Sequence, residues 1–170
     1  MSDRKVKIES TVKYGVVVSL PDFRFNRTFN RELQSSLVDF ETMEEGLQRP
    51  GFRKFFRDGI LRVVDKQDRI DLGLESADKD DEIEPIISLT TKEIIDYLKG
   101  DEKALKDIVE RVNIELFRRF VNVAITSKIS NGAVINILDS VAQKRELNID
   151  MTALFKLAKD AEKPVENTEE

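Results

Sequence analysis

The chain has 170 residues, of which 40% are apolar, 36% charged and 7% aromatic, and its formal net charge is −5. It contains no Cys, no His and no Trp, which removes disulfides, thiolate and imidazole metal ligands, cysteine nucleophiles and any histidine-based catalytic pair. A bound metal would have to be a hard cation held by carboxylates and carbonyls, and acid–base chemistry would fall to Asp, Glu, Lys or Tyr.

From Val6 to Leu20 polar and apolar residues alternate. Val6, Ile8, Val12, Tyr14, Val16, Val18 and Leu20 share one face, and Lys5, Lys7, Glu9, Thr11 and Lys13 share the other. This period of two predicts a long half-buried strand, bent or bulged at Gly15 and ended by Pro21. In the next stretch, Pro21–Arg31, Phe23, Phe25 and Phe29 interleave with Arg24, Arg27 and Arg31; it reads as an extended arm or a second strand. A short strand is expected at Leu37–Phe40 and a short helix at Glu41–Gln48. A further helix starts at Pro50 with Phe52, Phe55 and Phe56 on one face and stops at Gly59. Ile60–Val64 predicts a strand, and Asp65–Leu72 a turn or two of helix ending at Gly73.

An acidic linker occupies 76–86, and beyond it the period changes from two to 3.6. Thr90 or Thr91 can cap a helix running to Lys99, with Glu93 completing a capping box if Thr90 is the cap. After Gly100 one long helix is expected over Asp101–Lys128, carrying Leu105, Ile108, Val109, Val112, Leu116, Phe120, Val123 and Ala124 as a single stripe. Ser130-Asn131-Gly132 breaks it. Val134, Ile137, Leu138 and Val141 mark the next helix, and Asp150 caps a last one with Met151, Leu154, Phe155 and Ala158. The expected fold is α+β: a β-rich N-terminal domain over 1–75, the linker 76–86, a four-helix domain over 87–160 and a disordered acidic tail over 161–170. Charge follows the same map. Residues 1–75 and 87–160 are each +1, whereas the linker is −4 and the last ten residues −3. There is no apolar run of the ~18 residues needed to span a bilayer and no apolar block of a signal peptide, so a cytoplasmic protein is expected.

Few motifs carry chemistry. Counted from Asp78, the acidic run places Ile83 and Leu89 where a calcium loop needs Gly and Glu. No glycine-rich phosphate loop is present. Ser130-Asn131-Gly132-Ala133 between two helices is read as a bundle turn, because the following helix carries its base-reading side chains at the wrong end. The Arg/Phe segments, Phe23–Arg31 and Gly51–Arg57, could stack bases and meet phosphates. Equally, Arg and aromatic side chains are enriched at protein interfaces.

Leu20-Pro21-Asp22-Phe23-Arg24-Phe25, Arg49-Pro50-Gly51-Phe52, Gly59-Ile60-Leu61, Leu72-Gly73-Leu74-Glu75 and Leu89-Thr90 together resemble a set of small proteins encoded by tailed bacteriophages of Gram-positive hosts. The resemblance implies a virion or assembly setting, in the host cytoplasm and the assembled particle, and carries no catalytic residue. The expected function is a non-enzymatic protein–protein interaction or assembly protein, with other protein subunits or further copies of itself as partners and no catalytic residues, cofactor, metal or membrane. Phe23, Arg24, Phe25, Arg27 and Phe29, with a strand edge, are the expected partner contacts, and the helical half would oligomerise or bind a second partner. The alternatives are a nucleic-acid-associated regulator using the same Arg/Phe segments, and a carboxylate-based hydrolase using magnesium.

Overall fold

A computed structural model of the chain describes residues 4–77 and 86–161. The fold is α+β, and the chain divides into two compact units, Met1–Thr91 and Lys92–Glu170. The expected linker and acidic tail lie, for the most part, outside the described residues. Ile86 packs on the core of the first unit, and the carbonyl of Ile87 lies where a Cβ on Gly59 would approach it to 3.0 Å. The first unit therefore reaches past residue 75, the boundary expected from sequence, and takes in residues 86–91.

In the first unit β1 (Lys5–Ser10) is the middle strand of a three-stranded antiparallel sheet, between β4 (Ser35–Asp39) and β5 (Leu61–Val63). A separate two-stranded sheet pairs β2 (Val16–Leu20) with β3 (Phe25–Phe29). The long strand expected over Val6–Leu20 is thus two strands in two sheets. The break lies at Ser10–Val12, where side chains take over the backbone's hydrogen bonds. The Thr11 hydroxyl donates to the carbonyls of Gly59 and Ile60, and its N–H donates to Ile60 O at 3.0 Å. The Ser10 hydroxyl and the Val12 backbone are also bonded to each other. The apolar face still reaches the core on both sides of the break: Val6, Ile8, Val12, Val16, Val18 and Leu20 are all buried. Tyr14, in the connecting turn, is instead 57% exposed.

Among the described residues three α-helices complete this unit: α1 (Phe40–Leu47), α2 (Pro50–Arg57) and α3 (Lys66–Asp71). Pro50 opens α2 because its missing N–H is unneeded in a first turn. Phe52 and Phe56 meet edge to face at 5.2 Å in the core. Gly59 and Gly73 follow α2 and α3 with φ of +69° and +67°, the left-handed conformation that glycine adopts without a Cβ clash. Asp65 caps α3 by accepting from the Asp68 N–H at 3.1 Å. Arg4 ties the start of the chain to that helix through Asp68 and Asp71. Hydrogen bonds from Gln67 and then Arg4 hold the Asp71 carboxyl below its usual range.

The second unit is helical: α4 (Thr91–Lys99), α5 (Glu102–Arg111), α6 (Ile114–Thr126), α7 (Gly132–Lys144) and α8 (Thr152–Ala161). The single long helix expected over Asp101–Lys128 is two helices, so among the described residues this part holds five helices rather than four. Val112 is extended and Asn113 restarts the helix, its side chain accepting from Leu116 N–H at 2.8 Å. Arg145 supplies the other half of the break by donating to Val109 O at 2.8 Å and Val112 O at 2.7 Å. The apolar stripe survives, since the period merely restarts: Leu105, Ile108, Val109, Val112, Leu116, Phe120 and Ala124 are buried, joined by Phe117 and Val121. Asp101, Asn131 and Asp150 cap α5, α7 and α8.

Candidate docking edge and groove

The arm Pro21–Arg31 is a hairpin. A 3-10 turn at Pro21–Phe23 ends on Arg24 in the left-handed region at φ 50°, and β3 returns along β2 with Leu20 opposite Phe25, Val18 opposite Arg27 and Val16 opposite Phe29. Which of these pairs share hydrogen bonds follows from chemistry. The Thr28 carbonyl and the Asn30 N–H are both bonded by the Gln34 side chain and so point away from β2, while the Arg24 N–H to Pro21 O bond at 3.0 Å closes the turn; the bonded pairs are Leu20–Phe25, Val18–Arg27 and Val16–Phe29, alternating as antiparallel ladders require. Val17 and Ser19 therefore turn their N–H and C=O away from β3. The same alternation turns Thr28 outward on the far side of β3, where Gln34 covers it: its amide donates to Thr28 O at 3.2 Å and its carbonyl accepts from Asn30 N–H at 2.7 Å. The β3 edge is thus closed by a side chain. Among the described residues nothing bonds to the outward groups of Val17 and Ser19, and Val17 is 62% exposed.

Beside this open edge runs a groove of about 440 Å³, lined by Val17, Val18, Ser19 and Leu20 and, across from them, by Arg49, Gly51, Phe52 and Phe55. Four consecutive strand residues line it although their side chains alternate between faces, so β2 presents its backbone edge there. Leu20 of β2 and Phe52 of α2 both pack tightly on Gly46 of α1: a Cβ there would lie 2.9 Å from Leu20 Cδ1 and 3.0 Å from the Phe52 ring. A Cβ on Gly51 would meet nothing within 4 Å, which leaves the groove open at the start of α2.

The five partner contacts expected from sequence separate into two groups. Phe25 and Phe29 are 7% and 1% exposed; they are core residues, which corrects the expectation that they meet a partner. A ring at an inward strand position is worth roughly 1.5–3 kcal/mol when buried, and here that position faces the core. Phe23 is half-buried beneath the Arg49 guanidinium, 5.2 Å from its ring centroid. Arg24 and Arg27 are exposed, Arg27 lying 5.5 Å over the Phe25 ring. Arg49, Gly51 and Phe55 were not among the five. Their signal was the Arg49-Pro50-Gly51 helix start, whose partner strand only the fold identifies.

The fold also concentrates charge. Residues 13–31 and 46–57, which build the hairpin and the groove wall, carry Lys13, Arg24, Arg27, Arg31, Arg49, Arg53, Lys54 and Arg57 against Asp22, although Lys54 and Arg57 are paired with Asp58 just beyond α2. Arg49 pairs with Asp22 at 2.5 Å, joining the two segments. A near-neutral average over residues 1–75 conceals this, because acidic side chains elsewhere in the same stretch balance the sum.

A second cleft in this unit, about 360 Å³, is lined by Glu9, Arg62 and Arg69 among others. Its guanidiniums are engaged: Arg62 pairs with Glu9 at 2.7 Å, and Arg69 with Glu75 at 2.6 Å and with the carbonyls of Val63 and Val64. Among the described residues no group of three or more His, Cys, Asp or Glu is placed to hold a metal ion, and no helix is long and apolar enough to cross a membrane. No family model matches the chain, and neither a curated protein nor a solved structure matches it.

Proposed function

We propose that this is a non-enzymatic interaction or assembly protein that docks an extended segment of a partner protein along the open edge of β2. The observation that carries this reading is the pair of outward, unbonded residues Val17 and Ser19 beside an apolar groove. A bare strand edge is a template for strand addition: main-chain hydrogen bonds supply affinity, and a neighbouring pocket supplies selectivity. The resemblance to tailed-bacteriophage proteins supports an assembly setting, as a virion component or accessory.

A random heptapeptide library panned on the full chain, followed by amide exchange on the selected complexes, tests this. Strand addition slows exchange at Val17 and Ser19, and Gly51→Leu, which extends a side chain into the open groove, abolishes binding without unfolding the chain. Binders that leave those two amides unprotected, or a library without any binder, would refute it.

A further inference from the structure

We infer that the segment taken by the groove is acidic: an extended peptide with one or two apolar residues at its centre and carboxylates on its flanks. This rests on the strand-addition reading above and adds the chemistry of the partner. The groove spans four residues of β2, about 13 Å at ~3.3 Å per residue, so it covers about four residues of an added strand. Alternate side chains of that strand face Phe52 and Phe55, which selects apolar groups there.

Beyond the groove the surroundings are cationic. Arg49 lines it, and Arg24 and Arg27 on the adjoining hairpin are exposed and meet no carboxylate among the described residues. Asp22 is the only acid in the two segments that build the site. Lys54 and Arg57 on α2 are paired with Asp58, so the cations offered to a partner are Arg24 and Arg27 on the hairpin with Arg49 in the groove wall, a local positive field in a net −5 chain suited to steering and selecting an anionic partner.

A single-stranded nucleic acid would also be drawn by that charge, but it binds by stacking bases on exposed rings. Phe25, Phe29, Phe52 and Phe56 are buried, which leaves Tyr14 exposed and Phe23 and Phe55 half-buried as the rings a base could reach; the unbonded N–H and C=O groups at Val17 and Ser19 match a peptide backbone, which a nucleic acid lacks. The acidic peptide is the occupant that uses all three features.

The test uses the full chain and fluorescein-labelled probes read by anisotropy. They are the heptapeptide Glu-Glu-Val-Thr-Val-Glu-Glu, its counterpart with Lys for every Glu, the acidic peptide N-methylated at alternate residues, and single-stranded oligothymidine. The acidic peptide is expected to bind on the order of ten-fold or more tightly than the Lys peptide, with affinity falling as salt rises. N-methylation and Gly51→Leu should each abolish binding, and Arg24→Glu with Arg27→Glu should weaken it on the order of ten-fold. Equal binding of the acidic and Lys peptides, with N-methylation abolishing both, overturns the acidic partner and leaves strand addition standing. Acidic-peptide binding that survives both N-methylation and Gly51→Leu overturns the groove as its site, and with it strand addition. Binding of none of the peptides overturns both readings, and preferential binding of oligothymidine replaces the peptide with a nucleic acid. The methylated probe alters no residue of the protein, so the outcome does not depend on a variant folding.

Discussion

Arg145→Met should destabilise the helical unit by about 2–3 kcal/mol. The guanidinium donates at 2.8 Å and 2.7 Å to Val109 O and Val112 O, two of the carbonyls that the end of α5 leaves without helical partners. It also lies 5.9 Å over the Phe117 ring. Methionine keeps an apolar stem against the same surface and removes every donor. Each lost hydrogen bond is set at about 1 kcal/mol, below the roughly 1.5–3 kcal/mol of a charged donor in a dry site, because a half-buried site lets water reach the carbonyls. The ring contact adds about 0.5–1 kcal/mol. For a unit of this size each 1 kcal/mol moves the melting temperature by roughly 4–8 °C, so a fall of roughly 10–20 °C is expected. Urea titration followed by amide cross-peaks resolves the two units, and only the residues after Lys92 should shift their midpoint. A change below about 0.5 kcal/mol in that unit would show that Arg145 does not hold the break between α5 and α6.

Other consequences are simpler to measure. Lys128 and Glu146 follow α6 and α7 with φ of 53° each; Lys128→Gly and Glu146→Gly should each stabilise by about 0.5–1 kcal/mol in urea titrations, since glycine relieves the left-handed strain while losing more entropy on folding. Gly46→Ala drives a Cβ into Leu20 and the Phe52 ring and should cost about 1–3 kcal/mol, whereas Gly51→Ala, with open space around it, should be neutral or stabilising by up to ~1 kcal/mol. Asp150 is held below the usual carboxylate range by hydrogen bonds from the Thr152 side chain and then its N–H. The unfolded chain therefore takes up that proton more readily than the folded one. The stability this gives is complete above the ordinary carboxylate pKa of about 4 and is lost as pH falls through the lowered folded value. Asp150→Asn should flatten that part of the stability–pH curve, and an unchanged slope below about pH 4 would reject the cap.

Strand and helix types were legible in the residues because burial imposes a period: two across Val6–Leu20, 3.6 across Leu105–Ala124. Caps and stops were legible for the same local reason, as at Asp150, Pro50, Gly59 and Gly73, where one side chain or its absence decides the backbone. Continuity was not. Val6–Leu20 reads as one strand and Asp101–Lys128 as one helix, because periodicity does not record where a distant group takes a carbonyl or an amide. Thr11 meeting Gly59 and Ile60, and Arg145 meeting Val109 and Val112, are what divide them.

The candidate site shows the same limit. The Arg/Phe arm stands out in the sequence, yet its alternation does not say which rings face inward; Phe25 and Phe29 proved to be core, leaving Arg24 and Arg27 outside. Residue types, periods and local stops thus follow from the order of amino acids alone, since they depend on neighbours along the chain. The open edge of β2, the groove against α2 and the gathering of cations around them belong to the tertiary structure, because each depends on which distant segments meet and which hydrogen-bonding groups that meeting leaves uncovered.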